Sequence, residues 1–525
     1  MRRALFSTLL ALSAPATARQ VIDAAPPGDL AVTVYRDPER GPDQSMARDW
    51  PRGFAMISET RQVTLPPGES TIRFEGVSEG MVAVTAIVTG LPGGTIEKNR
   101  NADLLSPGAL VDGTLGNRVT ITRTNPATGR EASEQAIVRA RADGGLVLQT
   151  AAGFEAVRCS GLPERLTFDQ VPAGLSAQPI YSIDTVSAAG GTYTVTLTYL
   201  SWGFDWQAHY VATLDHGGST DDVKMQLTSW LTLVNDNNQS FAHADLMAVA
   251  GKLRVTSNYQ ALSDPPQGHP LQLVCYPFGN TAAGSPIDYP YPPPPPPPAP
   301  PPPAVMMESA AGTIIVTGSR ISRAAMVAQE EDLGDLKLYR VPEPVTIAAQ
   351  SQKQIAFLDR DGVAGRLLHT VTCNPWNAPD EPAAAGILLA SVNDPRHGLG
   401  VALPAGRITV FQSTPRGELL VGEERLRDYA SGQDVEIALG QSPQVFAACT
   451  VEDDPERRKQ GDRVPMRLVL TNANPASVRV RVTLGGSAAR IAGLRGERVK
   501  DGARVYETSV PANGRRELRW SIVNE

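Results

Sequence analysis

The sequence predicts a mainly β protein. Several β-sandwich and small-barrel domains are followed by a C-terminal immunoglobulin-like sandwich, and a disordered proline-rich insertion interrupts the chain. Three observations lead there. Apolar and polar residues alternate with a period of two: in "GTYTVTLTYL", Tyr193, Val195, Leu197 and Tyr199 take turns with Thr192, Thr194, Thr196 and Thr198, the mark of a strand with one buried face. Clusters such as "NPATG", "ADGG" and "NDNN" cut the chain at short intervals, as turns between strands do, while helical periodicity is scarce. Finally, eleven of the twelve residues 292–303 are proline, a composition that sheet interiors exclude.

The elements follow in order. Residues 1–18 join Arg2 and Arg3 to an apolar run from Ala4 to Leu12 and the small residues Ala16, Thr17 and Ala18, which predicts a secretory signal peptide cleaved after Ala18. An N-terminal β unit spans 19–101, with a turn at Pro66, Pro67 and Gly68. A small barrel-like domain fills 102–168. A central β domain runs over 169–275, is broken by the insertion at 276–334, and resumes over 335–450. In its first part "DVKMQLTSWLTLVN" sets Val223, Met225, Leu227, Leu231 and Leu233 on one face. The charged stretch "VEDDPERRKQGDR" leads into the sandwich at 451–525, where Val478, Val480, Val482 and Leu484 alternate with Arg479, Arg481 and Thr483.

Composition narrows the function. Loss of residues 1–18 removes two arginines and no acid, so the formal charge moves from −7 to −9. Phosphate backbones bind basic surfaces, so no nucleic-acid partner is expected. No run reaches the ~18 apolar residues of a membrane helix, and the expected location is the periplasm or the exterior. The four cysteines, Cys159, Cys275, Cys373 and Cys449, permit two disulfides in any of three connectivities in an oxidising compartment, or they stay buried as thiols. No CxxC, HExxH, Walker loop or SxxK occurs, so no catalytic residue, metal site or cofactor is assigned.

The strands also carry a resemblance. "NADLLSPGALVDGTLGNRVTI", "LTYLSWGFDWQAHYVATL", "LTSWLTLVNDNNQSFAHADLMAVAG", "DLGDLKLYRVPEPVTIAAQSQKQIAFL" and "PAGRITVF" with "LLVGEE" occur in this order. Together they resemble the mucoidy-inhibitor-A-like family, which contains the domain of unknown function numbered 4139. The resemblance covers the chain from about residue 30 to its end, except that the helical coiled coil many members insert is missing. It implies an exported β-rich protein associated with the envelope or its polysaccharide, and it implies no catalytic residue.

Two stretches stand out as sites. In "WGFDWQ", Asp205 sits among Trp202, Phe204 and Trp206. Apolar surroundings raise a carboxyl pKa toward acid catalysis, and Trp202, Asp205 and Trp206 would also suit a sugar-stacking platform. The simpler expectation is a tight bend between two strands, with Asp205 bonded to local amides and the rings in the core. A lone carboxylate does not make a glycosidase, so an envelope polysaccharide- or peptidoglycan-acting enzyme is the alternative to a non-enzymatic binding or scaffold module. His209 reads as a partly buried structural histidine.

The second stretch is "IIVTGSRI". Behind a polyproline arm of about 37 Å, at ~3.1 Å per residue, Ile314, Ile315, Val316, Thr317, Gly318, Ser319 and Arg320 form an apolar, β-prone segment. Exposed strands of this kind invite pairing, so the segment either folds back as an edge strand on its own body, serves with the arm as a passive linker, or docks on an envelope protein by strand addition. The segment resembles the one near the mature N-terminus of many TonB-dependent outer-membrane receptors, at or beside their TonB-contacting box.

Overall fold

The computed structural model describes residues 19–523 except 42–43, 102–104, 106, 126, 141–145, 157–163, 173–174, 216–221, 264–273, 276–278, 281–326, 380 and 453–462. The protein is mainly β, with several sheets. Among the described residues no helix is long and apolar enough to cross a membrane.

The alternation seen in the sequence becomes burial. In the strand Gly191–Leu214, Val195, Leu197 and Tyr199 are buried while Thr192 and Thr194 are exposed. At about 3.3 Å per residue, this 24-residue strand is too long for one layer. Its first half pairs with Gly53–Leu65, and its second half pairs antiparallel with Val223–Asn235 and parallel with Gly406–Thr414. The change comes at a register shift between Trp202 and Phe204, where Gly203 has φ +88°. A left-handed backbone favours glycine, so "WGFDW" is a bulge inside one continuous strand and not the bend between two strands that the sequence suggested.

The large sheet continues from Val223–Asn235 to Ser351–Thr372 and on to Ala383–Val392. On its other side Gly53–Leu65 pairs with Asp29–Tyr35, which runs parallel to Phe241–Ala250. A four-stranded sheet, ordered Gln20–Asp23, Gly68–Glu75, Ile180–Ser187 and Glu97–Asn101, packs on this body. Its Ile72, Phe74, Tyr181 and Ile183 share one core with Leu197, Tyr199 and Trp206. Each such side chain, fully buried, contributes about 1.5 to 3 kcal/mol.

Strands from both sides of the proline-rich stretch pair directly, with Met247 opposite Arg340 and Ala250 opposite Lys337. The central domain is therefore one body from which the insertion departs and to which it returns. Gln329–Leu333, expected within the insertion, pairs instead with Leu336–Arg340. The polyproline run and Ile314–Arg320 lie outside the described residues.

Two further cores complete the chain. Residues 107–168 give a five-stranded antiparallel sheet and the short helix Pro107–Gly113, around Val119, Ile121, Val138 and Leu148. At the C-terminus, Arg463–Asn472 pairs with Gly514–Val523, and Val478–Gly486 pairs with Ala503–Val510. Met466, Leu468, Val480, Val482 and Trp520 from these strands share one core. The same core takes in Cys373, Ala385, Val445 and Ala447 from before residue 451. Cys373 and Cys449 form a disulfide with Cα atoms 5.6 Å apart. Cys159 and the Cys275 side chain lie outside the described residues.

Candidate functional site: a basic pocket beside Asp205

Strand Asp29–Tyr35 ends in "RDPER". Aspartate first and proline second mark a type I turn, and the turn forms: Asp37 Oδ1 accepts from the Glu39 amide at 2.8 Å, and the Asp37 carbonyl accepts from the Arg40 amide at 3.3 Å. This turn brings two arginines to the long strand. Arg40 pairs with Asp205 Oδ2 and donates from Nη1 to the Trp206 carbonyl at 3.1 Å. Arg36 stands 5.4 Å from the Trp206 ring centroid and donates to both Asp428 oxygens at 3.0 Å. A cation over an indole face adds about 0.5 to 2 kcal/mol as it loses water.

Asp205 is 1% exposed. Its Oδ1 accepts from the Trp206 amide at 2.8 Å and the Asp37 amide at 3.2 Å. Burial pushes its carboxyl up to about 6, with Arg40 and the two amides opposing that rise. Both oxygens are thus satisfied by the chain itself and enclosed, so this carboxyl has no face for a substrate. Trp206 is fully buried, and its Nε1 donates to the Val249 carbonyl at 3.2 Å. Trp202 is half-buried, with its amide donating to Gly80 O at 2.8 Å. The enclosed Trp206 ring has no face to offer a sugar, so Asp205 and Trp206 form a structural knot, while Trp202 lines a separate pocket with Arg52, Phe54 and Tyr259. His209 is half-buried between Thr232 Oγ1 at 3.0 Å and Gln207 Nε2 at 3.3 Å, and its pKa is lowered by burial, then by Arg48 and Arg407.

The more reactive surface lies next to this knot and escaped the sequence reading. A pocket of about 200 Å³ is lined by Arg36, Arg40, Lys252, Arg407, Arg425 and Arg427, with Asp37 and Asp428 as its acids. Its floor is the junction of the long strand with Gly406–Thr414, where Gly406 is required: a Cβ there would stand 2.2 Å from the Ala208 carbonyl oxygen. Gly406–Thr414 pairs with Gly417–Leu426, and this pairing sets Arg407 directly opposite Arg425. On its other side Arg407 pairs with His209.

Two arginines facing each other across strands repel, and a bulge creates the arrangement. From the tip of the hairpin, Thr414 faces Gly417 and Phe411 faces Leu420; a register shift then puts Val410 opposite Gly422. Without that shift Arg407 would face Glu424, an attractive pair. Such bulges re-aim side chains and concentrate near functional sites. Both guanidinium groups donate to one atom, Ser45 Oγ, from Arg425 Nη2 at 2.8 Å and from Arg407 Nη2 at 3.4 Å.

Fold and pocket together define a class: a multi-sheet β protein with a basic pocket where five separate parts of the chain converge. Compared with protein-family models and with curated proteins, the chain matches none.

Proposed function

We propose that this chain is an exported envelope protein, of the mucoidy-inhibitor-A-like family that its strands resemble, and that it binds an anionic ligand in the basic pocket without transforming it. One observation carries this reading: a bulge holds Arg407 opposite Arg425, with both donating to a single oxygen. Folding alone gains nothing from such repulsion, whereas an anion placed between the two would relieve it. The sealed Asp205 beside the pocket supports binding over acid catalysis.

The test is thermal denaturation in sodium sulfate and in sodium chloride at equal ionic strength, on the wild type and on Arg407→Gln/Arg425→Gln. A sulfate-specific rise in Tm that the double variant loses is the expected result. An equal rise in both proteins would sink the reading, because it would reflect only general salting-out.

The proline-rich insertion adds a docking element to this proposal. Its exit and return on paired strands support an arm that carries Ile314–Arg320 away from the body for strand addition to an envelope partner. Photocrosslinking from position 315 should give a defined envelope adduct that Val316→Pro abolishes. Adducts to this chain alone would refute docking.

A further inference from the structure

The charges and donors of the pocket say more than that it takes an anion. Three of its cations already have acidic partners: Arg36 with Asp428, Arg40 with Asp205 and Arg407 with Glu423. Lys252, Arg425 and Arg427 have no carboxylate partner among the described residues. Arg425 donates to Ser45; Arg427 donates to the Asp428 carbonyl at 3.3 Å and to Gln433 at 3.4 Å, and lies 4.2 Å from the Tyr429 ring centroid. Against these three stands only Asp37 among the remaining lining acids. The described lining therefore keeps two positive charges unmatched.

Two unmatched charges suit a dianion better than a single carboxylate. The donors also converge, since two guanidinium groups from adjacent strands both reach one oxygen, Ser45 Oγ. Planar guanidinium forks are well matched to phosphate. At about 30 Å³ per water in the liquid, the pocket of about 200 Å³ has room for more than a bare oxyanion.

We infer that the pocket recognises a terminal phosphate monoester, held between Arg407 and Arg425 with Lys252 and Arg427 supplying the second charge. This rests on the anion-binding reading above and sharpens it. Such a group carries a charge of about −1.5 to −2 at neutral pH, whereas a phosphodiester or a carboxylate carries one. A small phosphorylated metabolite and a lipid headgroup present the same chemistry.

The experiment is isothermal titration of the full chain at pH 7.5 and constant ionic strength with glycerol 3-phosphate, dimethyl phosphate and acetate. Flotation with phosphatidylcholine vesicles containing either phosphatidic acid or phosphatidylglycerol accompanies it. Glycerol 3-phosphate should bind at least tenfold more tightly than dimethyl phosphate or acetate. Arg425→Gln should cost at least tenfold in that affinity, and so should Lys252→Gln, an exposed position where folding is not at stake. Flotation with phosphatidic acid alone, without titration by glycerol 3-phosphate, supports the inference and identifies a lipid source; titration without flotation supports it with a soluble one. Equal affinity for all three anions would overturn the monoester inference and leave anion binding standing. No binding of any anion or vesicle would overturn both.

Discussion

Arg425→Met should stabilise the ligand-free protein. The terminal nitrogens of Arg407 and Arg425 lie 3.4 and 2.8 Å from Ser45 Oγ. They are therefore no more than about 6 Å apart, where two unit charges repel by about 3 kcal/mol at an effective dielectric of about 20. Solvent reaches this pair, and Glu423 offsets part of the charge on Arg407, so the realised penalty belongs near the general scale of cross-strand side-chain pairs, about 0.2 to 1 kcal/mol. Methionine keeps the aliphatic stem and removes the charge. A gain of about 0.5 kcal/mol is expected at low salt. It should fade toward zero at 1 M salt, where the Debye length is about 3 Å. The assay is hydrogen exchange of the amides in 406–426 under increasing urea, at low and at high sodium chloride. If Arg425→Met is less stable than the wild type by an amount that salt does not change, then the arginines are packed for stability and the case for an anion between them fails.

Two further predictions test the surrounding frame. The Asp205 carboxyl is raised from 3.8 to about 6 in the folded protein, so the native state holds its proton more tightly than the unfolded state, and stability falls as pH rises through that window. Relative to Asp205→Asn, whose side chain does not titrate, the wild type should lose about 2 to 3 kcal/mol between pH 4 and pH 7, read from denaturant unfolding of both proteins; a difference that is constant with pH would refute the burial argument. The disulfide Cys373–Cys449 closes a loop with a sequence separation of 76, for which chain entropy gives about 4 kcal/mol. Cys373→Ala/Cys449→Ala should raise exchange throughout 464–472 and 514–522 accordingly, and a change below about 1 kcal/mol would show that the bridge constrains little in the unfolded chain.

Much of the fold was legible because strand burial is a local property. Tyr193, Val195, Leu197 and Tyr199 declare a buried face by their spacing alone, and Val478 to Leu484 do the same. Arg481 is the informative exception. It sits in the alternation as an outward residue, yet it is 6% exposed because Glu436 and Glu507 from two other strands close over it. Those acids lie 45 and 26 residues away, and period-two reasoning carries no knowledge of them.

The pocket was hidden for the same reason. The sequence singled out Asp205 and its tryptophans, which share one short stretch. The cations beside them come from residues 36–40, 252, 407 and 425–427, brought together only by pairing between distant strands. The sequence by itself determined the strand periodicity and the need for glycine at the bend in "WGFDW", because backbone sterics and one-sided burial act within a few residues. Only the tertiary structure decided that Cys373 pairs with Cys449, that Asp205 is sealed by Arg40, and that Arg407 faces Arg425 instead of Glu424. That last choice turns on a single bulged residue, because a shift of one position in a strand replaces every cross-strand partner at once.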